Sequence, residues 1–132
     1  MKKLHNDLLL KEECYQIIGL CMKVHRKFKR GYQEVLYKDA LEIEFKRHNI
    51  PYEREKRYPV FYDGIELRRK FVADFVVFGL IILEVKAMAT LSYEAMAQTL
   101  NYVNVAGLQL GLLIAFGAPS LLFKRIISSG EI

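Results

Sequence analysis

Phe71-Val72-Ala73-Asp74-Phe75-Val76-Val77-Phe78-Gly79-Leu80-Ile81-Ile82-Leu83-Glu84-Val85-Lys86 is the stretch on which the fold of this chain turns. Two runs rich in Val, Ile, Leu and Phe are separated by Gly79, the pattern of two strands joined by a short turn. With residues 78–80 as the loop, Val77 faces Ile81 and Asp74 falls opposite Glu84. Directly opposed residues have Cβ atoms about 5 Å apart. Side chains alternate along a strand, so Lys86 shares the face of Glu84 while Val85 turns away. A slip of one residue would move Asp74 to the other face, so the convergence depends on the loop length.

Asp74, Glu84 and Lys86 thus stand in apolar strands, where a charge is costly unless it is paired or holds a metal. Two opposed carboxylates repel each other, and a divalent cation relieves this. Hard oxygen ligands suit Mg²⁺ or Mn²⁺. A nearby lysine could orient an attacking water or offset developing charge. The bland alternative is a buried carboxylate–lysine ion pair that only holds the sheet, and the triplet alone leaves both readings open.

Outward from the hairpin, the elements follow from pattern. Cys14, Ile17, Ile18, Cys21, Val24 and Phe28 keep helical spacing, which predicts a helix over 10–29. A second helix is expected over 33–47, with Tyr37, Leu41 and Phe45 on one stripe, closed by Asn49, Ile50 and Pro51. Residues 58–62 read as a strand, Asp63-Gly64 as a tight hairpin turn, and 65–77 as a long strand, irregular near Arg68 to Lys70. Ser92 suits the N-cap of a helix to about 106, ended by Gly107. Residues 108–116 form a continuous apolar strand of the kind buried on both faces, and 121–127 add a last strand. The order predicts an α/β (α+β mixed) fold, a mixed sheet flanked by helices.

The 132 residues fit one domain, 1–132, and the composition of 52% hydrophobic and 27% charged residues is that of a globular chain. The apolar run Leu8-Leu9-Leu10 is too short for a signal peptide, and no apolar stretch is long enough to span a bilayer, so a cytoplasmic protein is expected. Cys14 and Cys21, on one helical face, read as reduced core residues, and His5, His25 and His48 as surface residues without ligand spacing.

The net charge of +5 is unevenly spread. Arg26, Lys27, Lys29 and Arg30 form one basic cluster, Arg54, Lys56 and Arg57 another, and Arg68, Arg69 and Lys70 a third, whereas Glu94 is the only charge between Lys86 and Lys124. Basic clusters attract phosphate backbones, although each alone is ordinarily a solvated face. The nearly uncharged stretch raises the alternative of a homodimer. Two polar features lie on helices. Glu34 and Tyr37 are three apart, which turns Glu34 partly inward, and Gln98 and Tyr102 are four apart.

With these residues in view, Asp74 followed by Glu84-Val85-Lys86 resembles the D…(D/E)xK core of the PD-(D/E)xK nuclease superfamily, with Ala73 at the usual Pro. Gly31-Tyr32-Gln33-Glu34-Val35-Leu36-Tyr37 resembles the motif that names the GxxExxY family, and Gln98 to Tyr102 the QxxxY motif of its RecB-like nucleases. The resemblance covers nearly the whole chain. It implies a restriction-endonuclease-like core and a metal-dependent nuclease acting on nucleic acid, DNA before RNA. By that resemblance Asp74 and Glu84 bind Mg²⁺ or Mn²⁺ with the Val85 carbonyl, and Lys86 positions or activates the water. Glu34 is then an accessory ligand, while Tyr37, Gln98 and Tyr102 assist. Arg26, Lys27, Lys29, Arg30, Arg68, Arg69 and Lys70 hold the nucleic acid. A non-catalytic nucleic-acid- or partner-binding domain on the same fold is the rival reading.

Overall fold

In the computed structural model, which describes residues 9–128, the apolar spacing near the N-terminus produces helix α1 (Lys11–Phe28), with Cys14, Ile17, Cys21 and Val24 buried. Glu12 and Glu13 lie in its first turn and Arg26 and Lys27 in its last, each matching the helix dipole. Helix α2 (Glu34–Arg47) buries Tyr37, Leu41 and Phe45, the stripe expected of it. Five strands follow: β1 (Tyr52–Tyr58), β2 (Phe61–Tyr62), β3 (Ile65–Glu66), β4 (Phe71–Val77) and β5 (Ile81–Lys86). Helix α3 (Tyr93–Ala106) begins where the Ser92 hydroxyl accepts the Ala95 N–H at 3.1 Å, and β6 (Leu110–Ala115) and β7 (Leu122–Ile127) complete the chain.

One sheet runs in the order β1-β4-β5-β6-β7, and β2 and β3 form a separate hairpin. β5 and β6 are parallel, while β1/β4, β4/β5 and β6/β7 are antiparallel. α3 supplies the crossover that two parallel neighbours need. The fold is therefore the mixed α+β arrangement anticipated, a five-stranded mixed sheet flanked by helices. α1 and α2 pack against one face, on Phe75, Val77, Ile81, Leu83, Leu112 and Ile114. α3 covers the other, where Val103 packs with Ala73, Val76 and Ile82. A Cβ at Gly111 would lie 2.8 Å from Val103 Cγ2 and 3.0 Å from Thr99 Cγ2, so its bare backbone lets α3 close on β6. Burial from both sides explains why β5 and β6 are runs of aliphatic residues rather than alternating ones.

Three expectations are corrected. The strand expected over 58–62 is β1, which ends at Tyr58, and the short β2 beyond Pro59. β1 is Tyr-Glu-Arg-Glu-Lys-Arg-Tyr, an edge strand whose charges conceal its extended pairing with β4. The long strand expected over 65–77 is two strands, β3 and β4, interrupted across 67–70. His25 is buried rather than superficial, because its Nε2 meets the Ala118 carbonyl oxygen at 2.9 Å and so donates to it. Cys14 and Cys21 are buried free thiols, as expected, and burial pushes Cys21 up to about 12. His5 lies outside the described residues.

Candidate active site

The β4–β5 turn has the length the sequence suggests. Phe78 and Gly79 take positive φ (59° and 67°), and the Leu80 N–H donates to the Val77 carbonyl at 3.0 Å. Val77 then pairs with Ile81, Val76 with Ile82 and Phe75 with Leu83, where the ladder stops. At the next level Asp74 and Glu84 face each other, and side chains replace the backbone bonds. The Asp74 N–H donates to Glu84 Oε2 at 2.9 Å, and the Val85 N–H donates to Asp74 Oδ2 at 2.8 Å. Each carboxylate is thus held by the neighbouring strand.

The same level of the sheet is irregular on its other side. Arg54 pairs with Phe75 and Lys56 with Ala73, while Glu55 between them is left out of the pairing and has φ 58°. A non-glycine residue held there costs on the order of 1–3 kcal/mol and is found where the surroundings demand it. The demand here is Lys38 of α2, whose Nζ donates to Glu55 Oε1 at 2.8 Å and to Asp74 Oδ1 at 3.0 Å. Three acidic residues on three adjacent strands therefore lie side by side, and one ammonium bridges two of them.

That ammonium does not neutralise the site. Burial, and then the like charge of Asp74, push the Glu84 carboxyl up to about 8, against the opposing pull of the Asp74 N–H, Lys86 and Lys38. For Lys38, burial works against the charged form, but the bonds to Glu55 and Asp74 outweigh it and its pKa is raised. Tyr102 is raised by burial first, then by Glu84 and Asp74, which places its ring in the field of the same carboxylates. Lys86, two residues beyond Glu84, is half-buried at the end of β5.

The other residues singled out in the sequence fall into three groups. Glu34 is at the first turn of α2, exposed rather than turned inward, and its Oε2 accepts the Ala87 N–H at 3.1 Å. It therefore clamps the segment after Lys86 and does not join Asp74 and Glu84. Tyr37 is fully buried, stacks on Phe116 at 4.4 Å between ring centres, and donates its hydroxyl to the Lys29 carbonyl at 2.6 Å. It fastens the α1–α2 connection rather than reaching the carboxylates. Gln98 is exposed on α3, whereas Tyr102 is half-buried and stacks on Phe71 at 4.0 Å. Arg26, Lys27, Lys29 and Arg30 are exposed at the end of α1, just before the helix whose Glu34 reaches Ala87. Arg68, Arg69 and Lys70 are exposed immediately before β4.

Lys38 and Glu55 were not foreseen. A lysine four residues after Glu34, beside the buried Tyr37, is the signal that could have flagged Lys38. Glu55 could be found only once β1 was recognised as a strand. Among the described residues no three His, Cys, Asp or Glu side chains form a group able to hold a metal ion. The oxygens that could meet a cation there belong to two carboxylates, one of them short of compensating charge. Such a set fits Mg²⁺, which is commonly held by one or two carboxylates with water and substrate oxygens.

No helix of the described residues is long and apolar enough to cross a membrane. No curated protein and no solved structure shows significant similarity to the chain. A family model, that of the PD-(D/E)XK nuclease superfamily, matches residues 11–126, a span from the start of α1 to near the end of β7 that contains every residue of the site. The chain belongs to the PD-(D/E)XK nuclease superfamily.

Proposed function

We propose that the chain is a divalent-metal-dependent nuclease that hydrolyses phosphodiester bonds in nucleic acid, with DNA as the preferred substrate. The observation that carries this reading is the crossed arrangement of Asp74 and Glu84 at the point where β4 and β5 part, with Lys86 next along β5. Asp74, Glu84 and the Val85 carbonyl would hold Mg²⁺ or Mn²⁺, and Glu34 would act indirectly, by fixing Ala87. A bound cation supplies a bound water of lowered pKa and stabilisation of charge on the phosphate. Lys86 presents an ammonium toward the attacking water or the phosphate oxygens, where fixed positive charge favours the transition state. Tyr102, on which the carboxylates act, and Gln98 on the same helix would contact the metal-bound water or the DNA backbone. The basic residues at the end of α1 and before β4 contact the backbone and set register without reading sequence. The motif from Gly31 to Tyr37 supports placing the chain in the GxxExxY branch.

Purified protein supplied with Mg²⁺ or Mn²⁺ should cleave DNA, and Asp74→Asn or Lys86→Met should each lower the rate by at least about 100-fold, the scale of losing an electrostatic stabiliser. Equal inertness of wild type and both variants on single-stranded DNA, duplex DNA and RNA would refute the assignment. One observation favours a second reading, a non-catalytic nucleic-acid-binding domain. The Lys38 bridge already satisfies part of the acidic charge without a metal. Salt-dependent binding that ignores divalent ions, with no cleavage, would support it.

A further inference from the structure

The hairpin made by β2 and β3 is not part of the five-stranded sheet. Every residue from Phe61 to Lys70 is exposed, and Phe61, Tyr62 and Ile65 are 59%, 68% and 69% exposed. Tyr62 pairs with Ile65 and Phe61 with Glu66, so the apolar side chains emerge on both faces of a two-stranded ribbon. Such a ribbon is marginal alone and gains nothing from displaying large apolar groups to water. Its connection to the sheet is uneven. Tyr58 pairs with Phe71 and Phe61 with Glu66, so two residues on the outgoing side (59–60) face four on the return (67–70). The extra length carries Arg68 and Arg69. These two and Arg57 have no ion-pair partner among the described residues, while Lys70 is bonded to Glu66 at 2.7 Å.

Stacked rings link the foot of this arm to Tyr102, on which the charges of Glu84 and Asp74 act. At its foot Tyr58 stacks on Phe71 with ring centres 5.1 Å apart, and Phe71 stacks on Tyr102 at 4.0 Å. Phe71 is three residues, roughly 10 Å of strand, from Asp74. Unpaired arginines beside displayed rings match the two parts of a nucleic acid strand, phosphate and base. A duplex hides its base faces, whereas an unpaired strand offers every one for stacking.

We infer that the 61–70 arm is a binding site for single-stranded nucleic acid, in which Tyr62 and Ile65 pack on unpaired bases while Arg68 and Arg69 hold phosphates and lead the strand toward Asp74 and Glu84. This rests on the nucleic-acid reading of the site. The test is fluorescence anisotropy of a labelled mixed-sequence DNA single strand, and of its duplex, in EDTA across a salt series. The single strand should bind more tightly than the duplex. Tyr62→Ser/Ile65→Ser should weaken single-strand binding about tenfold or more at every salt concentration and leave the salt slope unchanged. Arg68→Ser/Arg69→Ser should reduce that slope by about 1.4, two phosphate contacts' worth. All four positions are exposed, so both variants keep the core intact. Wild-type affinity in both variants would overturn the inference. So would a Tyr62→Ser/Ile65→Ser protein that sediments as a smaller species with unaltered DNA binding, since the arm would then be a protein interface. Arm-dependent binding without cleavage in Mg²⁺ overturns the nuclease reading alone. Cleavage with both arm variants binding as wild type overturns the arm alone.

Discussion

Glu84 gives the most quantitative handle on the site. Its carboxyl is held near 8, by burial first and by Asp74 second, against 4.5 for the free group. A raised carboxyl pKa means that the folded protein binds the proton more tightly than the unfolded chain. The stabilisation this gives is fully present below 4.5 and is lost as pH climbs through 8. At 1.36 kcal/mol for each tenfold change in proton affinity, moving metal-free protein from about pH 5 to about pH 8.5 should cost on the order of 4 kcal/mol from this residue alone. Urea unfolding in EDTA, at several pH values in that window, measures it against Glu84→Gln, which cannot ionise. The expected result is a wild-type stability that falls relative to the variant as pH rises. Added Mn²⁺ should reverse the fall, and near pH 7 calorimetry in two buffers should detect close to one proton released per metal bound. Parallel stability curves for the two proteins would refute the account, because they would mean that Glu84 is ionised or solvated in the fold.

Two further variants probe the surroundings. Lys38→Met removes the ammonium shared by Asp74 and Glu55; metal-free melting should fall by the equivalent of roughly 1–3 kcal/mol, and Mn²⁺ should raise the melting temperature more than in wild type, so an unchanged melt would contradict the bridge. At Gly117 a Cβ would lie 2.3 Å from the Ala87 carbonyl oxygen and 2.5 Å from the Met88 backbone, so Gly117→Ala should lower the stability measured by urea unfolding by about 1–3 kcal/mol and shift the amide resonances of Lys86 and Ala87.

The core of this arrangement was legible in sequence because its signals are local. Gly79 between two apolar runs sets the turn, the turn sets the register, and the register brings Asp74 opposite Glu84. The apolar stripe of α2 and the Ser92 cap of α3 were readable for the same reason. β1 was not, because an edge strand needs no apolar run, and its charges read as a solvated basic cluster. With β1 went Glu55 and the Tyr58–Phe71 stack, which exist only when two distant segments pair. Lys38 was hidden differently. A lysine on a helix is ordinarily solvated, and only the tertiary approach of α2 to β4 buries it. Glu34 and Tyr37 show the converse. A spacing of three puts them on one side of the helix, but it does not say that Glu34 stays exposed and meets the Ala87 amide while Tyr37 is buried and meets the Lys29 carbonyl.

The exchange of side-chain and backbone bonds between Asp74 and Glu84 has a consequence for how this protein is best disabled. Each carboxylate serves as a pin that fixes one strand's alignment on the next, so alanine at either position removes an acceptor that two strands share as well as an oxygen donor. An inactive alanine variant would then report misalignment and lost chemistry together. Asn and Gln keep one acceptor oxygen for the amide across the gap while discarding the charge, and they separate the two. The same pins mean that the carboxylates take their places as the sheet forms, so a cation meets a site whose geometry is already set.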